Sequence, residues 1–251
     1  MDLAGSAQSV ELAALAGSPE ILGRLFDAFD DVVFFVKDRG GRYRLVNQTL
    51  VRRLGMRHKE QLLGRRADEL FPVGLGAGFR RQDERVLDTA VTLRDRLELH
   101  LYPDGSRGWC RTFKMPLVVE TRVVGLVGFS KDLQLAASAL APDGVAQAAA
   151  YVEEHLHESL GVRRLAEVAG MRVRTFERAV QHFLGLSAGE LVIKARVDRA
   201  CRLLAETRHA VAFIAQECGY SDHSAFTRQF RSRVGLTPTG FRALRGRSDA
   251  S

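Results

Sequence analysis

The chain has few cysteines and no long apolar run. Its 251 residues include three cysteines, Cys110, Cys201 and Cys218, which are far apart and show no C-x-x-C spacing. An odd, scattered set of this kind indicates buried thiols, so we expect neither a disulfide framework nor a metal site. No apolar segment reaches the roughly 20 residues that a membrane span needs, and the N-terminus lacks the basic region of a signal peptide. The sequence therefore predicts a cytoplasmic protein with no membrane partner.

The residue patterns of common enzymes are also missing. We find no Ser/His/Asp set, no metal-ligand spacing and no glycine-rich phosphate loop in the sequence. Catalysis needs a nucleophile, an acid–base pair or a metal at defined positions. We therefore expect a protein that is not an enzyme, although a redox cofactor in the N-terminal part would change this interpretation.

Positive charge is concentrated near the C-terminus. The net charge is +7, and residues 159–251 contain 16 Lys or Arg against 8 Asp or Glu. A basic surface suits a polyanion such as nucleic acid, because each neutralised phosphate releases counterions. Solvated helix faces are often basic too, so charge alone leaves both interpretations open.

A linker separates two parts of different character. Residues 133–147 are rich in alanine and are interrupted by Pro142-Asp143-Gly144, which is typical of a linker. Strand and helix signals mix over residues 20–132, whereas residues 148–251 show helical periodicity only. The predicted fold is therefore a two-domain protein, with an α+β N-terminal domain and an all-α C-terminal domain.

An internal repeat lies within the helical part. The segment Leu165–Met171 recurs as Ile214–Tyr220, with small residues and a glycine at matching positions. Each copy reads as a short helix, a tight glycine turn and a second amphipathic helix, which is the anatomy of a helix-turn-helix. We place the two motifs at residues 162–184 and 211–234. Two copies in register are stronger evidence than one helical hairpin.

A long helix separates the two copies. It is predicted over Ala188–Glu206, and Ser187 and Glu190 fit a capping box at its start. Nineteen residues span roughly 28 Å, and successive major-groove segments on one face of DNA are about 34 Å apart. Such a spacer can hold two DNA-reading motifs in adjacent grooves.

These segments together resemble the AraC-type DNA-binding domain over residues of about 145–245. The resemblance rests on ordered motifs: Leu165–Met171, Gly185-Leu186-Ser187, Ala195-Arg196, Ala200 with Leu203-Leu204, Ile214–Tyr220, Phe226–Phe230 and Val234–Pro238. It implies a bilobed helical domain that binds double-stranded DNA and usually activates transcription with RNA polymerase.

Outward-facing residues of the second helix in each motif are the candidate DNA contacts. Arginine can bond guanine O6 and N7, and glutamate can accept a hydrogen bond from cytosine N4. The resemblance places Arg174, Glu177 and Arg178 at base-contacting positions. The complete candidate set is Arg172, Arg174, Glu177, Arg178, Gln181, His223, Ser224, Thr227, Arg228 and Arg231. Arg231 suits a phosphate, and His223 suits a spectator or phosphate contact better than a switch.

The N-terminal part reads as strand, strand, three short helices and three strands. Strands are predicted at Val32–Val36, Tyr43–Asn47, Leu93–Leu101, Arg107–Met115 and Val123–Lys131, with a hairpin turn at Asp104-Gly105. This order resembles the PAS sensor fold, an antiparallel sheet with helices. The residues that carry the resemblance are Phe35–Asp38, Val46-Asn47, Leu62–Gly64, Asp68–Phe71 and Val124–Gly128.

The PAS resemblance implies a small-molecule effector, a homodimer, or both. Apolar residues that could line a ligand pocket are Phe34, Val36, Trp109, Phe113 and Phe129, although such residues also form plain cores. The cysteine motif of flavin-adduct members is absent, and neither His58 nor His100 lies on a predicted helix. We expect neither haem nor flavin, and the cofactor stays unknown.

The sequence thus predicts a sequence-specific transcription regulator controlled by a sensor domain. The alternative is a sensor or scaffold protein whose helical domain binds another protein instead of DNA. The two differ in one property, because only a DNA-binding regulator needs salt-dependent affinity for a duplex.

Overall fold

The computed structural model describes residues 19–72, 74–102, 106–133 and 141–248. The chain divides into two compact units, and the boundary between them falls at Asp132 and Leu133. The predicted fold class is confirmed, since the first unit combines an antiparallel sheet with helices and the second is helical. The predicted turn at Asp104-Gly105 lies outside the described residues.

A five-stranded sheet forms the frame of the first unit. The strands are β1 (Val32–Asp38), β2 (Tyr43–Val46), β3 (Leu93–Leu101), β4 (Arg107–Val119) and β5 (Arg122–Asp132), in the order β2-β1-β5-β4-β3. The helices are α1 (Pro19–Asp27), α2 (Gln48–Arg53), α3 (Ala67–Leu70) and α4 (Leu75–Thr89), with a 3₁₀ turn at Lys59–Gln61.

Alternation along β1 decides which side of the sheet forms the core. Val33 and Phe35 point to one face and belong to a buried apolar cluster that also contains Leu126 of β5. Successive side chains of a strand point to opposite faces, so Phe34 and Val36 point away from this cluster.

Helices cover the same face of the sheet. Leu50 of α2 and Val86 and Leu87 of α4 are buried and belong to the same apolar cluster. Leu70 of α3 packs against it as a partly buried neighbour. The core of the first unit therefore lies between the sheet and helices α2 to α4.

Asn47 fixes the joint between β2 and α2. Its side-chain Oδ1 accepts a hydrogen bond from Phe34 N at 2.9 Å and from Leu50 N at 3.3 Å, so it also caps α2. Its Nδ2 donates to Val32 O at 2.7 Å and to Phe26 O at 2.9 Å. A buried amide with all these partners stabilises the turn, because each backbone group that it contacts is satisfied.

Seven helices form the second unit: α5 (Asp143–Glu154), α6 (Val162–Val168), α7 (Val173–Leu184), α8 (Ala188–Glu206), α9 (Val211–Glu217), α10 (His223–Val234) and α11 (Pro238–Ser248). Helix α5 starts at Asp143, so residues 143–147 of the predicted linker are helical. Asp143 and Gly144 follow Pro142 in the helix's first turn, where a preceding proline is tolerated. Residues 134–140 lie outside the described residues.

Glycines at matching positions end the first helix of each motif. Gly170 has φ of 64° and Gly219 has φ of 76°, the left-handed region that glycine adopts without strain. The chain therefore turns sharply into α7 and α10, as the repeat predicted.

Candidate nucleic-acid interface

Helix α7 has one buried face and one charged face. Phe176 and Val180 are fully buried against the rest of the unit, which fixes the rotation of the helix. Arg174, Glu177, Arg178 and Gln181 are all exposed, as are Thr175 and His182. The first four are spaced at i, i+3, i+4 and i+7, so they share one side of the helix. The predicted row of reading residues is thus accessible in the first motif.

The two reading helices begin differently. Arg172 is the N-cap of α7, and its exposed side chain makes no capping hydrogen bond. Asp222 is the N-cap of α10, and its carboxylate accepts hydrogen bonds from Ser224 N and Ala225 N, both at 2.9 Å. The first-turn N–H groups of α10 are therefore partly satisfied within the protein, whereas α7 has a cation where the helix dipole favours an anion.

Helix α10 exposes most of its predicted contacts. His223, Ser224, Arg228 and Arg231 are exposed, while Thr227 is half-buried and its hydroxyl oxygen is inaccessible to solvent. Because the Thr227 hydroxyl is inaccessible, the structure does not support its predicted contact with a DNA base.

Asp222 also influences the charge at this surface. The hydrogen bonds from Ser224 N and Ala225 N hold the pKa of its carboxyl below the usual range. Its Oδ2 lies 3.9 Å from Nη2 of Arg228, so a carboxylate stays beside the arginine expected to read a base. Both side chains are exposed, and the pair is therefore weak.

Helix α8 connects the motifs and packs on helices of both. Its predicted capping box is present, since Ser187 Oγ accepts from Glu190 N and Glu190 accepts from Ser187 N. Its bounds, Ala188–Glu206, are those predicted from the sequence.

Arg196 on α8 joins the two halves of the unit. Its Nη2 donates to Leu156 O at 3.2 Å and Glu158 O at 3.1 Å, and its guanidinium lies 5.3 Å from the Tyr220 ring. A Cβ on Gly219 would overlap Leu156 O, so only glycine permits this approach. The second motif's turn is therefore held directly against the segment that follows α5, a contact that sequence reasoning missed.

The residues predicted to line a ligand pocket lie on the face of the sheet opposite the core. Phe34 pairs with Phe129 and Phe113 with Phe129 across neighbouring strands, so these three share a face, as do Val36 and Trp109 by alternation. Phe113 stacks on Phe129 at 5.5 Å, and Phe34 stacks on Phe26 of α1 at 3.9 Å. They do not line the space between the sheet and helices α2 to α4.

A charged cluster occupies the core side instead. Lys37 of β1 and Lys114 of β4 both donate to Asp83 of α4, and Lys114 Nζ lies 2.7 Å from Oδ1. All three side chains are at most 4% exposed. Burial alone would raise the pKa of Asp83, but the charges of Lys114 and Lys37 and their hydrogen bonds outweigh it and lower that pKa. Alternation from Val33 through Phe35 to Lys37 was a signal that could have revealed this cluster.

His100 of β3 is a second buried polar group of this unit. Its Nε2 is inaccessible to solvent and has no hydrogen-bond partner among the described residues. Burial, followed by the charges of Arg53 and Lys114, lowers the pKa of His100 to about 3. The imidazole is therefore neutral at ordinary pH.

No helix within the described ranges is both long and apolar enough to cross a membrane. Those ranges also hold no group of three or more His, Cys, Asp or Glu side chains that could bind a metal ion. The three cysteines are buried.

Comparisons with known proteins assign both units. Residues 165–244 match the profile of a helix-turn-helix domain, and residues 26–137 match the PAS fold. The probable transcriptional regulator LumQ of Photobacterium leiognathi is 32% identical over 91 residues, which cover 36% of this chain and 37% of that protein. The MmsAB operon regulatory protein of Pseudomonas aeruginosa is 33% identical over 102 residues, 37% of this chain and 30% of its own length.

A solved structure resembles the second unit as well. It is the DNA-binding domain of AdpA, a global transcriptional factor, in complex with a target DNA. It is 34% identical, with 44% of this chain and 100% of that chain covered and a TM-score of 0.41. The chain spans about a third of the length of the curated relatives it matches.

The second unit is thus a helix-turn-helix domain with two motifs, preceded by a PAS-fold unit. The matched range, residues 165–244, contains both copies of the repeat, Leu165–Met171 and Ile214–Tyr220, on which the resemblance to the AraC-type domain rests.

Proposed function

We propose that the protein is a sequence-specific DNA-binding transcription regulator, and an activator, controlled by its PAS-fold domain. The observation that carries this proposal is the pair of exposed rows on α7 and α10 in one helical unit, joined by α8. Named relatives of the helix-turn-helix unit are regulators, and one is described as a transcriptional activator, RhaS of Enterobacter. A regulator of this kind acts where the bacterial DNA is, so we place it in the cytoplasm.

In the proposed complex, helices α7 and α10 lie in successive major grooves of the duplex. Arg178 of α7 and Arg228 of α10 each offer a guanidinium that can bond guanine in two places. Helix α8 is 19 residues long and spans roughly 28 Å, close to the distance of about 34 Å between adjacent grooves. Arg172, at the open N-terminus of α7, suits a backbone phosphate, which sets the register of the protein on the duplex.

The test begins with selection of preferred duplexes from a random pool by the full-length protein. Fluorescence anisotropy then gives the affinity of each variant for the selected duplex and for an unrelated one. Arg178→Ala and Arg228→Ala should each cost about 1–3 kcal/mol on the selected duplex and relax preference at one position. Arg231→Ala should weaken binding to both duplexes similarly and reduce the salt slope by about one.

Arg85→Ala serves as a matched control, because Arg85 is an exposed arginine of the first unit. It should bind DNA like the unchanged protein. If the full-length protein shows no salt-dependent affinity for any duplex, the proposal fails and the protein-binding alternative takes its place.

A further inference from the structure

The buried cluster of the PAS-fold unit holds more positive than negative charge. Lys37 and Lys114 share the single carboxylate of Asp83, one at each oxygen. The Lys37 ammonium also lies 4.1 Å from the Tyr43 ring centre, which supplies a weak cation–π contact. An uncompensated charge in a protein interior is costly unless a partner accompanies it. Within the described residues, no second carboxylate contacts either ammonium.

A cleft lies beside the cluster. Asp83 forms part of the wall of a cleft of about 130 Å³ that lies between the β1–β2 turn and helices α3 and α4. The other lining residues are Arg39, Gly40, Gly41, Arg66, Ala67, Arg80, Glu84 and Leu87. Three arginines and two acidic residues thus line the cleft, and one of the acids, Asp83, is already bound to both lysines.

Arg66 is the cleft residue with unused hydrogen-bonding capacity. Its Nε is buried and has no hydrogen-bond partner among the described residues, and the nearest carboxylate oxygen, Asp68 Oδ1, is 3.7 Å away. By contrast, Arg80 donates to Asp68 and Glu84, both at 2.7 Å, and Arg39 donates to Asp88 at 2.8 Å. A buried N–H without an acceptor costs free energy that an anionic ligand would recover.

We propose that this cleft binds a small carboxylate anion, with Arg66 as its principal hydrogen-bond donor. The inference rests on the proposed sensor role of the PAS-fold domain and names the chemical class of its effector. The ligand's charge offsets the surplus positive charge of the Lys37–Asp83–Lys114 cluster through the cleft wall. A cleft of about 130 Å³ has room for a small organic anion.

Isothermal titration calorimetry of the full-length protein tests this with acetate, succinate, inorganic phosphate and ethylammonium. We expect a carboxylate to bind and ethylammonium not to bind. Arg66→Gln should raise the Kd for that carboxylate about tenfold or more, because a charge-assisted hydrogen bond is lost. Arg81→Gln is the matched control, since Arg81 is an exposed arginine on α4 outside the cleft, and it should change the Kd less than about twofold.

Three outcomes would overturn the inference: no binding of either carboxylate, binding of phosphate alone, or equal affinity in the Arg66→Gln protein. If Arg66→Gln does not fold, Arg66→Lys gives the same test, since lysine keeps the positive charge but lacks the guanidinium Nε–H, and it should also raise the Kd. DNA affinity is measured on the same preparations. If the protein binds DNA but no carboxylate, only the proposed anion site is refuted. If the protein does not bind DNA, the proposed function is refuted.

Discussion

Replacing Asp83 by asparagine should destabilise the PAS-fold unit severely. The change leaves the ammonium groups of Lys37 and Lys114, whose side chains are 1% and 4% exposed, without their shared carboxylate. Breaking a buried ion pair by removal of one partner costs about 3–5 kcal/mol, because the remaining charge stays buried. Domains are stable by only about 5–15 kcal/mol, so Asp83→Asn should bring this unit close to unfolding.

Lys114→Met is the informative comparison. It removes the surplus positive charge and leaves one lysine matched to one carboxylate, so the unit should lose only about 1 kcal/mol, the net value of one hydrogen bond. Methionine also fills a space similar to that of the lysine stem. The charge count of the cluster therefore predicts that Asp83→Asn loses more free energy of unfolding than Lys114→Met, in addition to the size of each loss.

Urea unfolding followed by tryptophan fluorescence measures both variants. Trp109 is the single tryptophan and lies on β4, so the signal reports the PAS-fold unit and not the helical one. The reasoning is refuted if Asp83→Asn costs less than about 1 kcal/mol, or if Lys114→Met costs as much as Asp83→Asn. Either result would mean that the cluster does not hold two charged lysines around one carboxylate.

Two further predictions concern His100 and the motif glycines. Because the folded-state pKa of His100 is about 3 against an ordinary 6.5, its contribution to stability is present above pH 6.5. It is lost as pH falls towards 3, by up to about 1.4 kcal/mol per pH unit. His100→Asn should flatten this dependence in the same urea assay, and an unchanged slope would contradict the assignment. Gly219→Ala should destabilise the helical unit far more than Gly170→Ala, since the new methyl meets Leu156 O at position 219 and open space at position 170. Equal losses in circular-dichroism melting would show that the approach is not tight.

The sequence was most informative where structure depends on neighbours along the chain. The bounds of α8 were predicted correctly because helical periodicity and the Ser187 capping box act within a few residues. The double helix-turn-helix was recognisable for a similar reason, since an internal repeat needs no knowledge of long-range contacts.

Contacts between distant segments were harder to predict. Alternation in β1 showed two faces but not which face the helices cover, so the sequence could not tell that Phe35 and Lys37 lie on the helix-covered face and Phe34 and Val36 on the other. The Arg196–Leu156 contact joins residues 40 positions apart, so no local pattern indicates it. Asp83 and its two lysines also come from three separate elements, so alternation could place Lys37 on the same face as Phe35 but could not identify its partners.

The contact of Gly219 and Arg196 with Leu156 limits which operators the protein can use. A hinge between the motifs would let each one find its own half-site, but a direct backbone approach leaves little freedom of that kind. About five extra base pairs between the half-sites rotate one of them by about half a turn of the duplex. Only one motif could then engage, and natural target promoters should keep the distance between half-sites constant even where the intervening bases differ.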